Sequence, residues 1–304
     1  MTDTDSMATE RPTLDAIARA SGAFAMVAMD QRESLRTMFD AAGRGRPADD
    51  VLVDFKLAVA RTIGPLASGF LIDRHYGFER VRDEGMLPEG CGLILAADEL
   101  EQEDGGPVEE TSLDRVVTES TDLAGVAALK LLIIWRRDER REERVQLARD
   151  FVATAARRGV LSVLEPVVRA TRRELDDGSW DTDAAIREAA GELSPVGASL
   201  YKVQVPRGGK GSERELEDAC LLLAESIRGP WVVLSQGVDP AEFHGAVVAA
   251  CRAGASGFLA GRALWSDVVG SDRLEERLRE VSVPRLEALG AAVDRFARPW
   301  KDAS

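Results

Sequence analysis

Short apolar runs punctuate this chain at regular intervals. They fall at residues 24–29, 69–73, 91–96, 127–134, 160–166, 200–205, 231–235 and 257–260. Most are apolar at successive positions rather than at alternate ones, the pattern of strands covered on both faces. Between them lie stretches of helical periodicity, at 51–63, 140–158, 182–193, 213–227 and 240–253. Asp239-Pro240 reads as an N-cap with proline in the first helical turn. Eight strand–helix units in this length predict a single-domain α/β protein, a (β/α)8 TIM barrel over residues 13–298, rather than an open doubly wound sheet. The stretch 275–297 supplies the last helical turns, interrupted near Pro284. Residues 1–12 read as a disordered N-terminal tail, with Met7 as an alternative start, and 299–304 as a C-terminal tail.

A barrel of this kind carries its active site at the C-terminal ends of its strands. Read in order, those ends are Asp30-Gln31-Arg32, Asp73-Arg74, Ala97-Asp98-Glu99, Trp135-Arg136, Glu165, Lys202 with Gln204, Ser235-Gln236-Gly237 and Gly261-Arg262. One polar strand end means little; eight converging on one mouth mean more. Lys202 lies inside the run Leu200-Tyr201-Lys202-Val203. Alone it reads as a lysine snorkelling from a strand end. Burial disfavours an ammonium, however, and a neutral lysine is a nucleophile for carbonyl carbon. Lys130 occupies a similar run on the fourth strand, and its charge would help keep Lys202 neutral. Glu165 ends the strand between them, placed either for proton transfer or for a structural ion pair. Ser235, Gly237, Gly261 and Arg262 follow the last two strands, the usual phosphate position in this architecture.

Composition narrows the chemistry. The chain has 304 residues, 45% hydrophobic and 30% charged, with a net charge of −14. That balance argues against nucleic acid and anionic membranes as partners, while a local cluster of arginines still suits a small anion. Cys91, Cys220 and Cys251 are widely spaced, as expected of reduced thiols in a cytoplasm. A signal peptide and a bilayer-length apolar run are both missing from the pattern. With only His75 and His244, a three-histidine zinc site is excluded, and neither metal nor cofactor is expected. Asp30-Gln31-Arg32 in place of a glycine fingerprint weakens dinucleotide binding, and Gly208-Gly209-Lys210-Gly211-Ser212 fails the phosphate-loop pattern at positions 204 and 211.

Four motifs together resemble the tagatose 1,6-bisphosphate aldolase family: Ala28-Met29-Asp30-Gln31-Arg32, the Leu-Tyr-Lys-Val strand, Leu234-Ser235-Gln236-Gly237-Val238, and Gly261-Arg262-Ala263-Leu264-Trp265. The resemblance runs from about residue 14 to about 283. It is closest to the sulfofructosephosphate aldolase branch, through segments that include Leu129-Lys130-Leu131-Leu132, Trp135-Arg136 and Glu165-Pro166-Val167-Val168-Arg169. It implies a metal-free class I aldolase with Lys202 as the Schiff-base lysine and Glu165 as the proton shuttle. The expected reaction splits 6-deoxy-6-sulfofructose 1-phosphate into dihydroxyacetone phosphate and sulfolactaldehyde. Ser235, Gly237, Gly261 and Arg262 would then hold the C1 phosphate, Asp30 and Gln31 the hydroxyls, and Arg136 the distal sulfonate. A homo-oligomer is expected. Two positions depart from the family pattern: Gln204 stands where a glutamate is usual, and Gln236 where serine or alanine is usual. On alternation, Gln204 should share the inward face of Lys202. The competing readings are a tagatose or fructose bisphosphate aldolase and, outside the enzymes, a metabolite-binding regulator without turnover.

Overall fold

The computed structural model describes residues 12–303. The expectation for the N-terminal tail falls almost entirely on residues 1–11, outside the described residues. Eight strands run parallel and close on themselves: β1 (Phe24–Met29), β2 (Gly69–Ile72), β3 (Gly92–Ala96), β6 (Val126–Trp135), β7 (Leu161–Val168), β8 (Leu200–Gln204), β9 (Trp231–Leu234) and β10 (Gly257–Ala260). The circuit is β1-β10-β9-β8-β7-β6-β3-β2, and β10 pairs with β1 from Phe24 opposite Gly257 onward. The (β/α)8 barrel expected from the alternation of runs is therefore the fold. Its strands match the apolar runs to within a residue or two at each end.

Alternation along each strand separates two cores. Outward residues such as Val27, Leu131 and Val203 pack beneath the helices. Inward residues Phe24, Met26, Leu71, Ile94, Ala128, Val163, Leu200, Val232 and Leu259 fill the barrel, and Leu14 and Ile17 of a short N-terminal turn plug its lower end. The C-terminal residues dock there too. Trp300 donates its backbone N–H to Gly22 O at 3.0 Å, and Lys301 pairs with Asp15. Close packing fixes some residue choices: a Cβ on Gly257, at φ +137°, would lie 2.0 Å from Phe24 O.

Three local features differ from the sequence reading. First, Ala97-Asp98-Glu99 is not a simple strand end. Asp98 opens an antiparallel hairpin, β4 (Asp98–Gln102) and β5 (Val108–Leu113), which projects over the mouth of the barrel. Its strands are half exposed and rich in acidic residues, so they carry no buried apolar run to find. The hairpin tip is tied down where Gly105 N donates to Glu33 Oε1 at 3.0 Å. Second, Asp239 does not cap a helix beginning at Pro240. It accepts from Ala241 N at 2.9 Å in a turn, and the helix starts at Phe243. Third, the interruption near Pro284 is a π-helical turn, Leu278–Ser282, leading directly into the helix Val283–Phe296. Proline has no N–H to donate, so the wider turn accommodates it without ending the helix.

All three cysteines are free and buried. Burial pushes the thiols of Cys91, Cys220 and Cys251 up to about 12. A thiol-specific disulfide reagent at pH 8 is therefore expected to leave the native protein unlabelled and to label three thiols after unfolding; rapid native labelling would show that the packing around one of these cysteines opens.

Candidate active site

The alternation that fills the lower barrel with apolar side chains continues upward into charge. On β6 the inward series is Ala128, Lys130, Leu132; on β7 it is Val163, Glu165, Val167; on β8 it is Leu200, Lys202. Lys130, Glu165 and Lys202 thus stand in one layer directly above the apolar plug, each buried. Asp30 reaches the layer from the end of β1, and Asp98 from the base of the hairpin.

Lys130 is the hub. Its Nζ lies 2.7 Å from Asp30 Oδ2, 3.1 Å from Asp98 Oδ2 and 2.8 Å from Glu165 Oε2. Burial alone would lower this amine, but the three carboxylates hold it well above the ordinary lysine range. Burial likewise acts to raise the Asp30 carboxyl, and Lys130 and Lys202 outweigh it, holding the group well below the usual carboxylate range. The three carboxylates therefore hold Lys130 as an ammonium. Its field is largely spent on its own carboxylates, so it organises the layer rather than projecting a bare charge at Lys202. Glu165 bridges the two amines, with Oε1 at 2.8 Å from Lys202 Nζ. The contact of Oε2 with Lys130 is off the hydrogen-bonding direction, which leaves a buried carboxylate oxygen without a hydrogen-bond donor.

Above this layer opens a cavity of about 330 Å³. Of the residues anticipated from sequence, Lys202, Glu165, Lys130, Asp30, Gln31, Ser235, Gly261 and Arg262 line it, as does Gln236. Gly261 is required by close approach: a Cβ there would stand 2.6 Å from Ala28 O. Ser235 Oγ accepts from Gly261 N at 3.3 Å, joining the ends of β9 and β10. Arg262 has no ion-pair or hydrogen-bond partner for its guanidinium among the described residues. Burial disfavours its charge, against support from the more distant Glu165 and Asp30.

Three anticipated residues are elsewhere. Gly237 lines an adjoining groove that shares Ser235 and Arg262 with the cavity. Gln204 does not reach the cavity; its Oε1 accepts from Val168 N at 2.7 Å and so extends the pairing of β7 with β8. A glutamate could accept the same bond. Arg136 is bound to the hairpin, donating to Glu109 O at 2.7 Å and pairing with Glu109 Oε2 at 2.5 Å. Its neighbour Trp135 is fully buried among the helices and donates to Glu192 at 2.7 Å. The Trp135-Arg136 pair is therefore not placed to read a substrate.

Sequence reasoning missed three cavity residues. Asp98 continues the inward series Ile94, Ala96, and holds Arg32 at 2.9 Å as well as Lys130. Arg32 was visible only as part of a strand end. Arg169 continues the inward series Glu165, Val167 just past the end of β7, where alternation was not extended. Away from the cavity, ligand atoms of His75, Glu99 and Asp114 lie within 4.8 Å of one another. Asp114 is already engaged by Arg74 and by the N–H groups of Val116 and Val117, so the trio does not offer three free metal ligands.

The fold is shared with aldolases. The structure superposes on a fructose-bisphosphate aldolase from Plasmodium falciparum with a TM-score of 0.69 at 14% identity, covering 93% of each chain. It superposes on a Schiff-base-forming fructose-1,6-bisphosphate aldolase with a TM-score of 0.56 at 14% identity, covering 92% of this chain and 98% of that one. In sequence, the tagatose 1,6-diphosphate aldolase of Listeria monocytogenes serotype 4a (strain HCC23) is 26% identical over 94% of this chain and 92% of its own. Tagatose 1,6-diphosphate aldolase 2 of Streptococcus pyogenes serotype M3 is 25% identical over 92% and 94%. The protein is thus a lyase built as a single TIM barrel. A profile of the DeoC/LacD family aldolases matches residues 24–267, and the chain belongs to that family. Among the described residues no helix is long and apolar enough to cross a membrane.

The Lys130 hub makes a stability prediction. The depressed Asp30 carboxyl contributes stability that is present above its ordinary value of 3.8 and is lost as pH falls through the lower folded value. Lys130→Met leaves buried carboxylates without their cation, and should cost about 3–5 kcal/mol at pH 7. Burial would then act on the Asp30 carboxyl without the opposing Lys130 charge and raise it, so the folded state takes up a proton and the penalty should shrink from pH 7 to pH 5. Urea unfolding at both pH values measures this; a pH-independent loss would mean the three carboxylates do not depend on Lys130.

Proposed function

We propose that the protein cleaves 6-deoxy-6-sulfofructose 1-phosphate to dihydroxyacetone phosphate and sulfolactaldehyde through a Schiff base on Lys202. The observation that carries the aldolase reading is the Lys202–Glu165–Lys130 array, with 2.8 Å on each side of the carboxylate, at the floor of a cavity edged by unpaired arginines. An unpaired buried guanidinium is costly, and a phosphorylated substrate compensates it. The sulfosugar rests on the sequence segments resembling that branch. The runner-up, a tagatose or fructose bisphosphate, has the named relatives in its favour and involves the same chemistry.

The array accounts for each step. Lys202 passes a proton to the adjacent Glu165, and the free amine adds to the C2 ketone. Glu165 returns that proton to the carbinolamine hydroxyl, which leaves as water; a protonated imine remains, an electron sink conjugated to C3, and Glu165 is again a carboxylate. Glu165, directly or through one water, takes the proton of the C4 hydroxyl. The C3–C4 bond then breaks, its electron pair enters the enamine, and the aldehyde leaves. Protonation at C3 and hydrolysis release dihydroxyacetone phosphate and restore Lys202. On this reading Glu165 Oε1, 2.8 Å from Lys202 Nζ, is the acceptor for the C4 hydroxyl. Lys130 keeps that carboxylate in place through the cycle. Ser235, Gly261 and Arg262 hold the C1 phosphate, with Gly237 at its outer edge, and Asp30 and Gln31 meet the hydroxyls. A regulator without turnover would have no use for two buried lysines sharing one carboxylate.

Borohydride added with dihydroxyacetone phosphate is expected to trap a covalent adduct that peptide mapping places on Lys202. Label on Lys130 would reverse the two lysine roles, and absence of any adduct would remove the Schiff-base mechanism.

Glu165→Gln keeps the shape but removes the base. It should lower kcat about 10²–10⁴-fold while changing KM little; activity within a few-fold of wild type would make Glu165 a structural ion-pair partner.

A further inference from the structure

The aldolase reading leaves one cavity group without a role. Arg169 follows β7, lines the cavity with Lys202 and Arg262, and its Nε is buried without a hydrogen-bond partner. Among the described residues its guanidinium has no carboxylate within ion-pair distance, although nearly every other arginine near the mouth has one: Arg32 is held by Asp98 and Arg136 by Glu109 and Glu110. We infer that Arg169 is the receptor for the anionic group at the end of the substrate remote from C1, and that it selects a singly charged group, a sulfonate, over a phosphate. This inference rests on the aldolase function proposed above.

Topology supports the assignment. Around the barrel, β10, which leads into Arg262, and β7, which leads into Arg169, are separated by β9 and β8, and β8 carries Lys202. The two unpaired guanidiniums therefore stand on either side of the Schiff-base lysine. On β7 itself, Arg169 is two inward positions beyond Glu165. A ketose with its C1 phosphate at Arg262, C2 at Lys202 and its C4 hydroxyl at Glu165 directs C5 and C6 along β7 toward Arg169.

Charge count supports the selection. At the C1 end Arg262 is accompanied by the Ser235 hydroxyl, which accepts from Gly261 N and so keeps its own proton to donate, a pair suited to a phosphate that approaches two charges at pH 7. At the distal end a single guanidinium is available. The groove on its other side is shared with Glu109, whose carboxylate already belongs to Arg136. A monoanion neutralises Arg169, whereas the second charge of a phosphate would meet no free cation. Burial already disfavours the Arg169 charge, and Arg136 adds to that, so an arriving anion relieves both.

The test is steady-state cleavage of three ketoses that share the C1 phosphate: 6-deoxy-6-sulfofructose 1-phosphate, fructose 1,6-bisphosphate and fructose 1-phosphate. Wild type is expected to favour the sulfosugar in kcat/KM. Arg169→Met should reduce kcat/KM for the sulfosugar about 10- to 100-fold more than for fructose 1-phosphate, the loss expected for a charge-assisted contact. Arg169→Lys, which keeps charge but not the fork, should recover part of that difference. Equal losses on all three substrates would make Arg169 structural and overturn the assignment. A wild type that favours the bisphosphate would overturn the selection for a single charge. If wild type cleaves none of the three and borohydride traps no dihydroxyacetone phosphate adduct, the aldolase function itself fails and this inference with it. Trapping with an Arg169→Met variant that still favours the sulfosugar would overturn the inference alone.

Discussion

One ammonium in the middle of the barrel constrains everything around it. Lys130 Nζ is gripped by carboxylates from three different strand ends, Asp30, Asp98 and Glu165. An isolated charge at that depth would be costly, and three anions without the cation would be more so. The cluster is therefore all or nothing: it exists only when β1, the base of the hairpin, β6 and β7 are in register. The same grip sets Glu165 against Lys202, so the interaction that ties the barrel together at mid-height also poises the reacting groups. Rigid support of this sort is what a site needs if it is to work by prearranged charge rather than by rearrangement during the reaction.

Around that hub the barrel separates its tasks by height. The lower interior is apolar and plugged by Leu14 and Ile17; the middle layer is charged and internally satisfied; the upper layer offers guanidiniums that the protein does not satisfy. The contrast between paired and unpaired arginines is informative. Arg32 and Arg136 are consumed by Asp98 and by the hairpin, and serve the scaffold. Arg169 and Arg262 have no such partner among the described residues. The hairpin accounts for the difference, because its acidic β5 removes Arg136 from the mouth while Leu100, Pro107 and Val108 roof the cavity.

The site was legible to the extent that strand alternation made it so. Lys130, Glu165 and Lys202 could be placed inside the barrel because each interrupts an apolar run, and a charge inside such a run must find partners. Asp30, Gln31, Ser235, Gly261 and Arg262 followed from the rule that barrel sites collect at strand ends. The rule failed beyond the last regular residue. Past that point the chain turns, and sequence spacing no longer fixes direction. So Arg136 was placed at the mouth when a neighbouring hairpin binds it; Arg169 was overlooked because the inward series was not carried one residue past β7; and Gln204, the last residue of β8, accepts from Val168 N across the strands instead of lining the cavity.

By itself the sequence determined the barrel, its order of strands and helices, and the identity of the central lysines and carboxylate. Hydrophobic burial dictates these, and burial is written locally in each run. Only the tertiary structure decided which arginines stay unpaired, because pairing depends on carboxylates distant in sequence: Glu109 for Arg136, Asp98 for Arg32, and, among the described residues, none within ion-pair distance of Arg169 or Arg262. Only the tertiary structure decided, too, that Lys130 has three partners rather than one. Electrostatic neutralisation is a property of the space around a charge, and that space is assembled from strands up to 135 residues apart in the chain, as Asp30 and Glu165 are.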